Sequence, residues 1–509
     1  MPPDSASGSG PATSTLPVAL NWIDGEWVDS HDYVDSVDPA TGIVIGRYAR
    51  ATAADAQRAI EAARRAFVQS SWRHDRVLRA RVLNAMADRL EARIDDLVDI
   101  LALENGKVKP HGRLEVESVP QTLRFNAALA LTDAGRTSAV QEGSLGLVVR
   151  EPVGVAGIIA PWNSPVALTV RSLAPALAAG TTAVISLPGE TAQTNALIAE
   201  IIAGTPGLPR GVVNAITGGR VTGEALVASP LVPAISFTGS SKTGKSISKV
   251  AADNLKRLGL ELGGKTPMIV FDDADLEAAL PLIVAALTVF AGQFCMTGSR
   301  LLVQEGIAGA VREQLAARLA AVTMGPASDP GSEMGPVIDK ANVDRIDAIV
   351  AEAIAAGARP VLRGGPVRTG PLAAGAFYSP ALLEVTDSKL RIVQEEVFGP
   401  VLTMQTFKTE AEAVALANDS TYGLSASIFS RDVDRPLRVA LQLEAGTVWV
   451  NDWAVLFDQF EEGGYKDSGQ GRMRGLAVLD DFVEYKHIQL RPGAPSQDSR
   501  GQERKDTGQ

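Results

Sequence analysis

Val153-Gly-Val-Ala-Gly-Ile-Ile-Ala-Pro-Trp-Asn163 opens the part of the sequence whose pattern decides the fold. Residues 155–159 form a short apolar run that ends at Pro161, which predicts a buried strand followed by a loop. A helical segment at 172–179 follows and is stopped by a glycine, and a second apolar strand is predicted at 182–185. Strands that alternate with helices in this way indicate a parallel, doubly wound sheet.

The same alternation continues towards the C-terminus. The first series is completed by helices at 194–203 and 223–228 and strands at 212–216 and 234–237. The second series comprises strands at 268–271, 301–303, 361–362, 401–407 and 448–450 and helices at 280–290, 308–323 and 345–356. We therefore predict an α/β fold with two doubly wound, Rossmann-like domains.

Additional elements flank the two series. They are a hairpin at 21–27, helices at 53–67 and 76–104, an extended hairpin at 137–153 and a last strand at 483–490. Residues 1–17 are mostly small and residues 492–509 are polar and charged, so both ends are predicted to be disordered tails.

Composition argues against several classes of protein. The chain has 509 residues, of which 46% are hydrophobic, so more than one domain with a large core is expected. Its net charge is −11 and it has no basic block, which argues against nucleic acid as a partner. No apolar run reaches the ~18 residues of a membrane-spanning helix, so no membrane association is expected. The N-terminus resembles neither a signal nor a transit peptide, and a single cysteine fits a cytoplasmic protein.

That single cysteine lies in Phe290-Ala-Gly-Gln-Phe-Cys295-Met-Thr-Gly298. It has no disulfide partner, and four scattered histidines cannot complete a thiolate metal site, so no metal is predicted. Two interpretations remain, namely a buried cysteine that packs as a small hydrophobe and a thiolate nucleophile. Glycines on both sides permit close approach of another molecule, which favours the nucleophile. A nucleophile also requires a base and an oxyanion donor elsewhere in the chain.

Four other motifs offer such groups. Asn163 follows the first strand of the α/β region, where its amide could donate to an oxyanion, and Glu261 beside two glycines has the chemistry of a general base. Phe237-Thr-Gly-Ser-Ser-Lys-Thr-Gly244 follows a strand and opens a helix, as a pyrophosphate site does. Glu395-Glu-Val-Phe-Gly-Pro400 offers an acid for ribose hydroxyls and a ring for a flat cofactor. Each motif also has an ordinary interpretation as a turn, a charge pair, an N-capped helix or a surface loop.

Together these motifs resemble the aldehyde dehydrogenase superfamily over residues 21–490. The matching motifs, in the order and spacing of that family, are Pro161-Trp-Asn, Phe237-Thr-Gly-Ser, Glu261-Leu-Gly-Gly-Lys, Gly292-Gln-Phe-Cys, Glu395-Glu-Val-Phe-Gly-Pro, Asn418 with Tyr422-Gly-Leu, and Gly463-Gly-Tyr-Lys-Asp-Ser-Gly469. The resemblance implies a cofactor-binding domain (18–136 and 154–262), a catalytic domain (263–477) and a small β segment for oligomerisation (137–153 and 478–491). It therefore also implies a homodimer or homotetramer.

The resemblance further implies the oxidation of an aldehyde to a carboxylic acid with NAD(P). In this mechanism the thiolate of Cys295 attacks the aldehyde, and the oxyanion is held by the Asn163 amide and the backbone N–H of Cys295. After hydride transfer to the nicotinamide, Glu261 activates the water that hydrolyses the thioester. The residues implied to bind the dinucleotide are Ile159, Pro161, Trp162, Ser186, Glu190, Phe237, Gly239, Ser240, Gly244, Leu262, Gly263, Glu396 and Phe398.

The adenosine end of the implied cofactor site departs from the family pattern. Many members have Lys-Pro-Ser/Ala-Glu there, whereas this chain has Ser186-Leu-Pro-Gly-Glu190. A carboxylate at Glu190 would repel a 2′-phosphate and favour NAD, whereas Gly189 would leave room for NADP. We expect NAD, with NADP as the alternative.

The predicted substrate pocket contains conflicting charges. Its residues are Arg171, Phe294, Met296, Trp453 and Phe457. Arg171 suggests an aldehyde with an anionic tail, whereas the acidic residues of the loop before Gly463 suggest a cationic one; these are Asp452, Asp458, Glu461 and Glu462. The ordinary alternatives are a structural ion pair for Arg171, a solvated loop for the acids and core packing for the apolar residues.

Two other functions are compatible with the resemblance. A CoA-acylating dehydrogenase would pass the thioester to CoA without a water-activating base, so the presence of Glu261 argues against it. A catalytically silent member with a binding or structural role is disfavoured by the joint presence of Cys295, Asn163 and Glu261.

Overall fold

The computed structural model describes residues 16–491. The predicted tail 492–509, and 1–15 of the predicted tail 1–17, lie outside the described residues. The fold begins slightly earlier than predicted, because the backbone N–H of Leu16 donates to the carbonyl of Ile45 at 2.7 Å.

Strands and helices alternate through most of the described chain. The strands are β1 (Asn21–Ile23), β2 (Glu26–Val28), β3 (Tyr33–Val37), β4 (Val44–Ala49), β5 (Arg136–Gln141), β6 (Ser144–Pro152), β7 (Val155–Ile159), β8 (Thr182–Leu187), β9 (Val213–Thr217), β10 (Ala234–Thr238), β11 (Arg257–Glu261), β12 (Thr266–Val270), β13 (Gly298–Gln304), β14 (Arg359–Leu362), β15 (Gly365–Pro366), β16 (Tyr378–Ser379), β17 (Ala381–Glu384), β18 (Val401–Phe407), β19 (Tyr422–Gly423), β20 (Ser425–Phe429), β21 (Thr447–Val450), β22 (Tyr465–Lys466), β23 (Gly469–Gln470) and β24 (Val483–Leu490). The α-helices are α1 (Ala53–Gln69), α2 (Arg76–Glu91), α3 (Ile94–Glu104), α4 (Lys109–Glu117), α5 (Val119–Thr132), α6 (Pro165–Ala179), α7 (Ala192–Ala203), α8 (Arg220–Ala228), α9 (Ser241–Ala251), α10 (Leu276–Thr288), α11 (Ala308–Ala320), α12 (Lys340–Ala355), α13 (Arg391–Gln394), α14 (Glu410–Asn418) and α15 (Arg435–Ala440).

The first large sheet has eight strands in the order β2-β1-β9-β8-β7-β10-β11-β23. Its five central strands, β9 to β11 in this order, are parallel. Every residue of β8, β9 and β10 is buried, as expected for a parallel sheet covered by helices on both faces. The strand order reverses between β7 and β10, and ligands of such sheets bind at the carboxyl ends of the strands at this position.

The second large sheet has seven strands in the order β14-β17-β18-β13-β12-β20-β21. All its pairs are parallel except β14 with β17. Cys295 lies three residues before β13, the central strand. The predicted fold class, α/β with two doubly wound sheets, is confirmed.

A third, smaller sheet joins the predicted extended hairpin to the last strand. Its order is β24-β6-β5, and β24 pairs with β6 from Val483↔Pro152 to Leu490↔Leu145. All of β24 except Val483 is exposed in the single chain.

Several helices differ from their predicted bounds. The segment predicted as one helix at 76–104 is two helices, and α4 and α5 were not predicted at all. Prolines in the first turns of α4, α5 and α6 interrupt the periodicity, because proline favours the start of a helix and disfavours its interior. For the same reason α6 begins at Pro165 and not at Ser172. None of the helices within 16–491 combines the length and apolarity that a membrane crossing requires.

Candidate active site

A strained turn precedes Cys295. After α10, Phe290, Ala291 and Gly292 have φ values of 51°, 53° and 73°, in the left-handed region. Non-glycine residues in this region cost of order 1–3 kcal/mol each and persist only where the surroundings hold them. A Cβ at Gly292 would overlap the backbone of Gly399, so the turn is pressed against a neighbouring loop. The position of the cysteine is therefore set by packing around the turn.

Gln293 connects this turn to Asn163. Its Nε2 donates to the carbonyl of Phe290 at 3.1 Å, and its Oε1 accepts from the backbone N–H of Ile338 at 2.9 Å. Its own carbonyl accepts from Nδ2 of Asn163 at 3.1 Å. The side-chain amide of Asn163 is thus held two residues from Cys295. Sequence reasoning did not assign a role to Gln293, although it lies in the Gly-Gln-Phe-Cys motif.

A buried carboxylate, that of Glu115, holds the loop that carries Asn163. Oε1 of Glu115 accepts from the backbone N–H groups of Val166 and Ala167 at 2.9 and 3.3 Å, at the start of α6. The ammonium of Lys107 pairs with the same carboxylate. A negative charge at a helix N-terminus stabilises the helix, so this pair holds the loop between β7 and α6.

Glu261 is the last residue of β11, and its side chain is buried. Its Oε1 has no hydrogen-bond partner among residues 16–491. Burial raises its pKa from 4.5 to about 8, with Arg171 acting in the opposite direction. The chain then passes directly over the cysteine, because a Cβ at Gly264 would overlap the carbonyl of Cys295. A carboxyl group with a pKa near neutrality beside a thiol has the properties of a general base.

Cys295 itself is partly exposed and is a free thiol. Burial raises its pKa to about 12, and the positive charge of Arg171 opposes this rise. The thiol form therefore dominates at neutral pH in this structure, and a base has to accept its proton for it to act as a nucleophile.

Glu396 and Phe398 approach the cysteine from the loop before β18. Oε1 of Glu396 accepts from the backbone N–H of Gly264 at 3.3 Å, and a Cβ at Gly263 would overlap its carboxylate. Burial raises the pKa of Glu396 to about 7. Phe398 has a φ of 52° and meets Trp162 edge to face, with ring centroids 5.5 Å apart. Two motifs 236 residues apart in the chain are thus in contact.

The residues predicted to bind a dinucleotide lie at the carboxyl ends of adjacent parallel strands. They follow or end β7 (Ile159, Pro161, Trp162), β8 (Ser186, Glu190), β10 (Phe237, Gly239, Ser240, Gly244) and β11 (Leu262, Gly263). Ser240 is the N-cap of α9 and accepts from the backbone N–H of Thr243 at 3.3 Å. A Cβ at Gly244 would overlap the side chain of Leu262, so this glycine lets α9 approach β11 closely.

A cavity of about 430 Å³ lies where β8 and β9 end. Its lining includes Glu190, Gly189, Arg50 and Tyr48. A Cβ at Gly189 would overlap the hydroxyl of Tyr48, so this position has no room for a side chain of its own. Ser186 is buried, and its hydroxyl lies 2.7 Å from that of Thr222.

The predicted substrate residues fall into different environments. Phe294 is partly buried and meets Trp453 edge to face at 5.8 Å, and the Trp453 indole N–H donates to the carbonyl of Met296 at 2.9 Å. The side chain of Met296 is only 1% exposed and packs in the core, which corrects its assignment to an open pocket wall. Phe457 is 59% exposed.

Arg171 is not a free cation. Its Nη1 donates to Oε1 of Glu462 at 2.7 Å and its Nη2 to Oγ1 of Thr238 at 3.1 Å. The structural ion pair, given above as the ordinary alternative, is therefore what the structure contains. Glu462 and Asp458 are buried, so the picture of a fully solvated acidic loop is wrong for these two residues. Clusters of three or more His, Cys, Asp or Glu side chains suited to a metal do not occur among residues 16–491.

Comparison with known proteins places this arrangement in context. The profile of the Aldehyde dehydrogenase family matches residues 27–488. Betaine aldehyde dehydrogenase from Bacillus subtilis is 37% identical over 92% of this chain and 96% of its own length. Hydroxyisobutyraldehyde dehydrogenase from Mycolicibacterium austroafricanum is 36% identical over 94% of each chain. The crystal structure of betaine aldehyde dehydrogenase from Staphylococcus aureus in complex with NAD+ superposes with a TM-score of 0.91 at 37% identity, covering 95% of this chain and 97% of that one.

Proposed function

The chain belongs to the aldehyde dehydrogenase family, and on that premise we propose that it oxidises an aldehyde to a carboxylic acid with NAD+ through a covalent intermediate on Cys295. The observation that carries the proposal is the convergence of three groups. A free cysteine, a side-chain amide held two residues from it and a buried carboxyl group with a raised pKa meet between the two large sheets.

Cys295 and Asn163 act in the first half of the reaction. The thiolate of Cys295, formed when the thiol gives its proton to solvent, adds to the aldehyde carbon, and the carbonyl oxygen becomes an oxyanion. Nδ2 of Asn163 and the backbone N–H of Cys295 donate hydrogen bonds to this oxyanion. The Asn163 amide needs little reorganisation, because Gln293 already holds it beside the turn.

Glu261 acts in the second half, when a thioester links Cys295 to the acyl group. Its carboxylate takes a proton from a water molecule, and the resulting hydroxide adds to the thioester carbon. Collapse of this adduct releases the carboxylic acid and returns the sulfur as a thiolate. The unpartnered Oε1 of Glu261 supports this role, because it is free to accept the water proton.

The residues present fit a nicotinamide dinucleotide. Ser240 begins an eleven-residue helix at the carboxyl end of β10, and this helix presents backbone N–H groups suited to a pyrophosphate. Glu396 would accept ribose hydroxyls, and Phe398 would pack against the flat ring; their contacts with Gly264 and Trp162 near the ends of the parallel strands support these roles. When bound, the dinucleotide supplies the hydride acceptor for the oxidation.

NAD+ is preferred to NADP+ in this proposal. Glu190 and Asp339 both line the cavity at the ends of β8 and β9, where carboxylates would repel a 2′-phosphate. Within residues 16–491, Arg50 is the one cation of the cavity lining, and it faces Asp32 at 3.7 Å.

We further propose the domain bounds implied by the family resemblance, with residues 137–153 and 478–491 as the oligomerisation segment. The exposed surface of β24, where Ile488 and Leu490 lie on one face and Tyr485 on the other, supports a homodimer or homotetramer. Light scattering on the purified chain measures the mass, and a monomer at micromolar concentration would refute this assembly. A cytoplasmic location suits a protein that depends on one reduced thiol.

The test of the proposed function is an activity panel with the purified chain. Aliphatic, aromatic, amino and carboxylated aldehydes are supplied with NAD+ or NADP+, each with and without CoA, and reduced cofactor is followed by absorbance. We expect reduction with NAD+ in the absence of CoA. An absolute requirement for CoA would indicate the acylating reaction, and no reduction with any aldehyde would indicate a silent family member.

A further inference from the structure

We propose, building on the aldehyde oxidation proposed above, that this enzyme selects aldehydes with an uncharged, apolar tail and disfavours those with a cationic or an anionic tail. The proposal follows from how the charged side chains around the substrate side of Cys295 are paired and from what the remaining surface offers.

Four charged side chains with little exposure neutralise one another. Arg171 donates to Glu462 at 2.7 Å, and the same carboxylate accepts from Nε of Arg474 at 2.9 Å. Nη1 of Arg474 also donates to Asp458 at 2.5 Å. Asp458 in turn accepts from the hydroxyl of Thr122 at 3.0 Å. Two cations and two anions form a closed network, whose side chains are between 3% and 15% exposed.

One guanidinium donor of Arg171, its Nε, takes no part in this network. Nε of Arg171 and Oε1 of Glu261 are both buried without a partner among the described residues. Arg171 also bonds Thr238, which is the register partner of Glu261 in the sheet and therefore lies on the same face. The remaining positive potential of Arg171 is thus directed at the enzyme's own base, and a substrate carboxylate would compete with Glu261 for it.

The loop before Gly463 has two further acids, Asp452 and Glu461. Oδ1 of Asp452 accepts from the backbone N–H of Trp453 at 2.8 Å. Oε1 of Glu461 accepts from the backbone N–H groups of Leu476 and Ala477 at 3.2 and 3.4 Å, and this residue is exposed. Both carboxylates therefore bond the chain itself and are open to solvent screening, which weakens any attraction for a cationic tail.

Three aromatic rings pack in the same cluster as the cysteine. Phe290, Phe294 and Trp453 form a ladder of edge-to-face contacts with centroids 5.7 and 5.8 Å apart. The face of Phe290 is already occupied by the chain's own cation, because Nζ of Lys107 lies 3.8 Å from its centroid. The capacity of this ladder to bind a quaternary ammonium group is therefore partly used.

The loop before Gly463 also exposes apolar surface. Its exposed large hydrophobic residues are Val455, Phe457 and Phe460. A charged tail placed here would lose hydration without gaining a free counter-charge, whereas an apolar tail gains from burial.

The experiment compares charged aldehydes with neutral partners of nearly the same shape. Betaine aldehyde is paired with tert-butylacetaldehyde, in which carbon replaces the quaternary nitrogen, and succinic semialdehyde is paired with its methyl ester. With the unaltered enzyme and NAD+, we expect kcat/KM of each neutral member to exceed that of its charged partner at least about tenfold. A charged member that is oxidised as well as its neutral partner, or better, overturns this inference alone. No oxidation of these four aldehydes by an enzyme that oxidises another aldehyde of the panel overturns this inference alone. No oxidation of any aldehyde in the panel overturns the proposed function and this inference with it.

Two substitutions test whether the balanced network causes the selectivity. Glu462→Gln leaves an unbalanced positive charge and should raise the relative kcat/KM for succinic semialdehyde several-fold. Arg474→Gln leaves an unbalanced negative charge and should raise that for betaine aldehyde. Glu461→Gln removes an acid of the same loop outside the network and should change neither ratio.

These ratios are measured within one preparation, so the amount of folded protein cancels. Circular dichroism identifies a variant that does not fold, and the remaining variant and the unaltered enzyme still decide the question. Opposite shifts in the two variants cannot arise from general destabilisation. Ratios unchanged by both substitutions would overturn the assigned cause.

Discussion

The ionisable groups around the active site fall into two classes, those that form ion pairs and those that do not. In the network of Arg171, Glu462, Arg474 and Asp458, every side chain has a partner of opposite charge. At the turn of Cys295 and the end of β11, neither the thiol nor Glu261 forms an ion pair within residues 16–491, and burial raises the pKa of both groups while Arg171 opposes the rise.

The difference shows which charges serve structure and which serve chemistry. A buried polar group without a partner costs roughly 1–3 kcal/mol, so a fold retains one only where something else requires it. Lys265, the residue directly before β12, belongs to the unpartnered group as well within residues 16–491, and burial lowers the pKa of its ammonium to about 7. The comparison predicts that unpartnered groups control rate and paired groups control stability.

Replacing the nucleophile should give the largest effect. Cys295→Ala removes the covalent intermediate, so kcat/KM should fall by about 10⁴-fold or more. The melting temperature and the affinity for NAD+ should stay nearly unchanged, because no pair is broken. Absorbance of NADH and titration calorimetry measure the two properties. Residual activity close to that of the unaltered enzyme would remove Cys295 from the mechanism.

Replacing the base should have the next largest effect. Glu261→Gln leaves acylation possible but removes the group that activates water, so kcat should fall about 10²- to 10⁴-fold. The acylated chain should accumulate and be visible by intact-mass spectrometry. A variant that turns over normally and shows no acyl adduct would contradict the role of Glu261.

Breaking the paired network should instead lower stability. Glu462→Ala leaves two buried guanidinium groups without their shared carboxylate, so the free energy of unfolding should fall by about 3–5 kcal/mol. Urea denaturation measures this change. Glu461→Ala, at the adjacent exposed position, is the matched control and should cost much less. Equal losses in the two variants would show that the network has no special structural role.

The pH dependence should report the unpartnered carboxyl group. Because the pKa of Glu261 is raised to about 8, hydrolysis of the thioester should rise about tenfold from pH 7 to pH 9. The native state holds this proton more tightly than the unfolded chain does, so its contribution to stability is present at low pH and is lost as pH rises from 4.5 to about 8. Comparing Glu261→Gln with the unaltered enzyme across this range tests both trends. Identical pH profiles for the two chains would contradict the assignment.

An exposed ion pair should show the smallest effect. Lys486 and Glu151 pair between β24 and β6, and both side chains are about half exposed. Lys486→Met should therefore change the free energy of unfolding by only about 0–1 kcal/mol. The same urea titration measures it, and a loss as large as that of Glu462→Ala would indicate that burial does not distinguish the two kinds of pair.

Much of the fold was accessible to sequence reasoning. The alternation of strands and helices from Val153 onwards predicted two doubly wound sheets, because period and turn residues act within a few positions. Helices α4 and α5 were missed, since prolines at helix starts resemble breaks when their neighbours are unknown. The motifs around Asn163, Glu261 and Cys295 were also recognisable, because each lies within a short, distinctive stretch.

The sequence by itself thus determined the fold class, the family resemblance and which cysteine, carboxylate and amide to consider. Only the tertiary structure decided which of the charged side chains around them pair with one another. Arg171 meets Glu462 across 291 positions, and Asn163 meets the turn of the cysteine across 130. Such pairs depend on the packing of α6 against the C-terminal segment and of the loop after β7 against the turn before β13, and no local pattern encodes them. Arg171 and the acidic loop pointed to opposite substrates while they were separate in the sequence, and in the folded chain they neutralise each other.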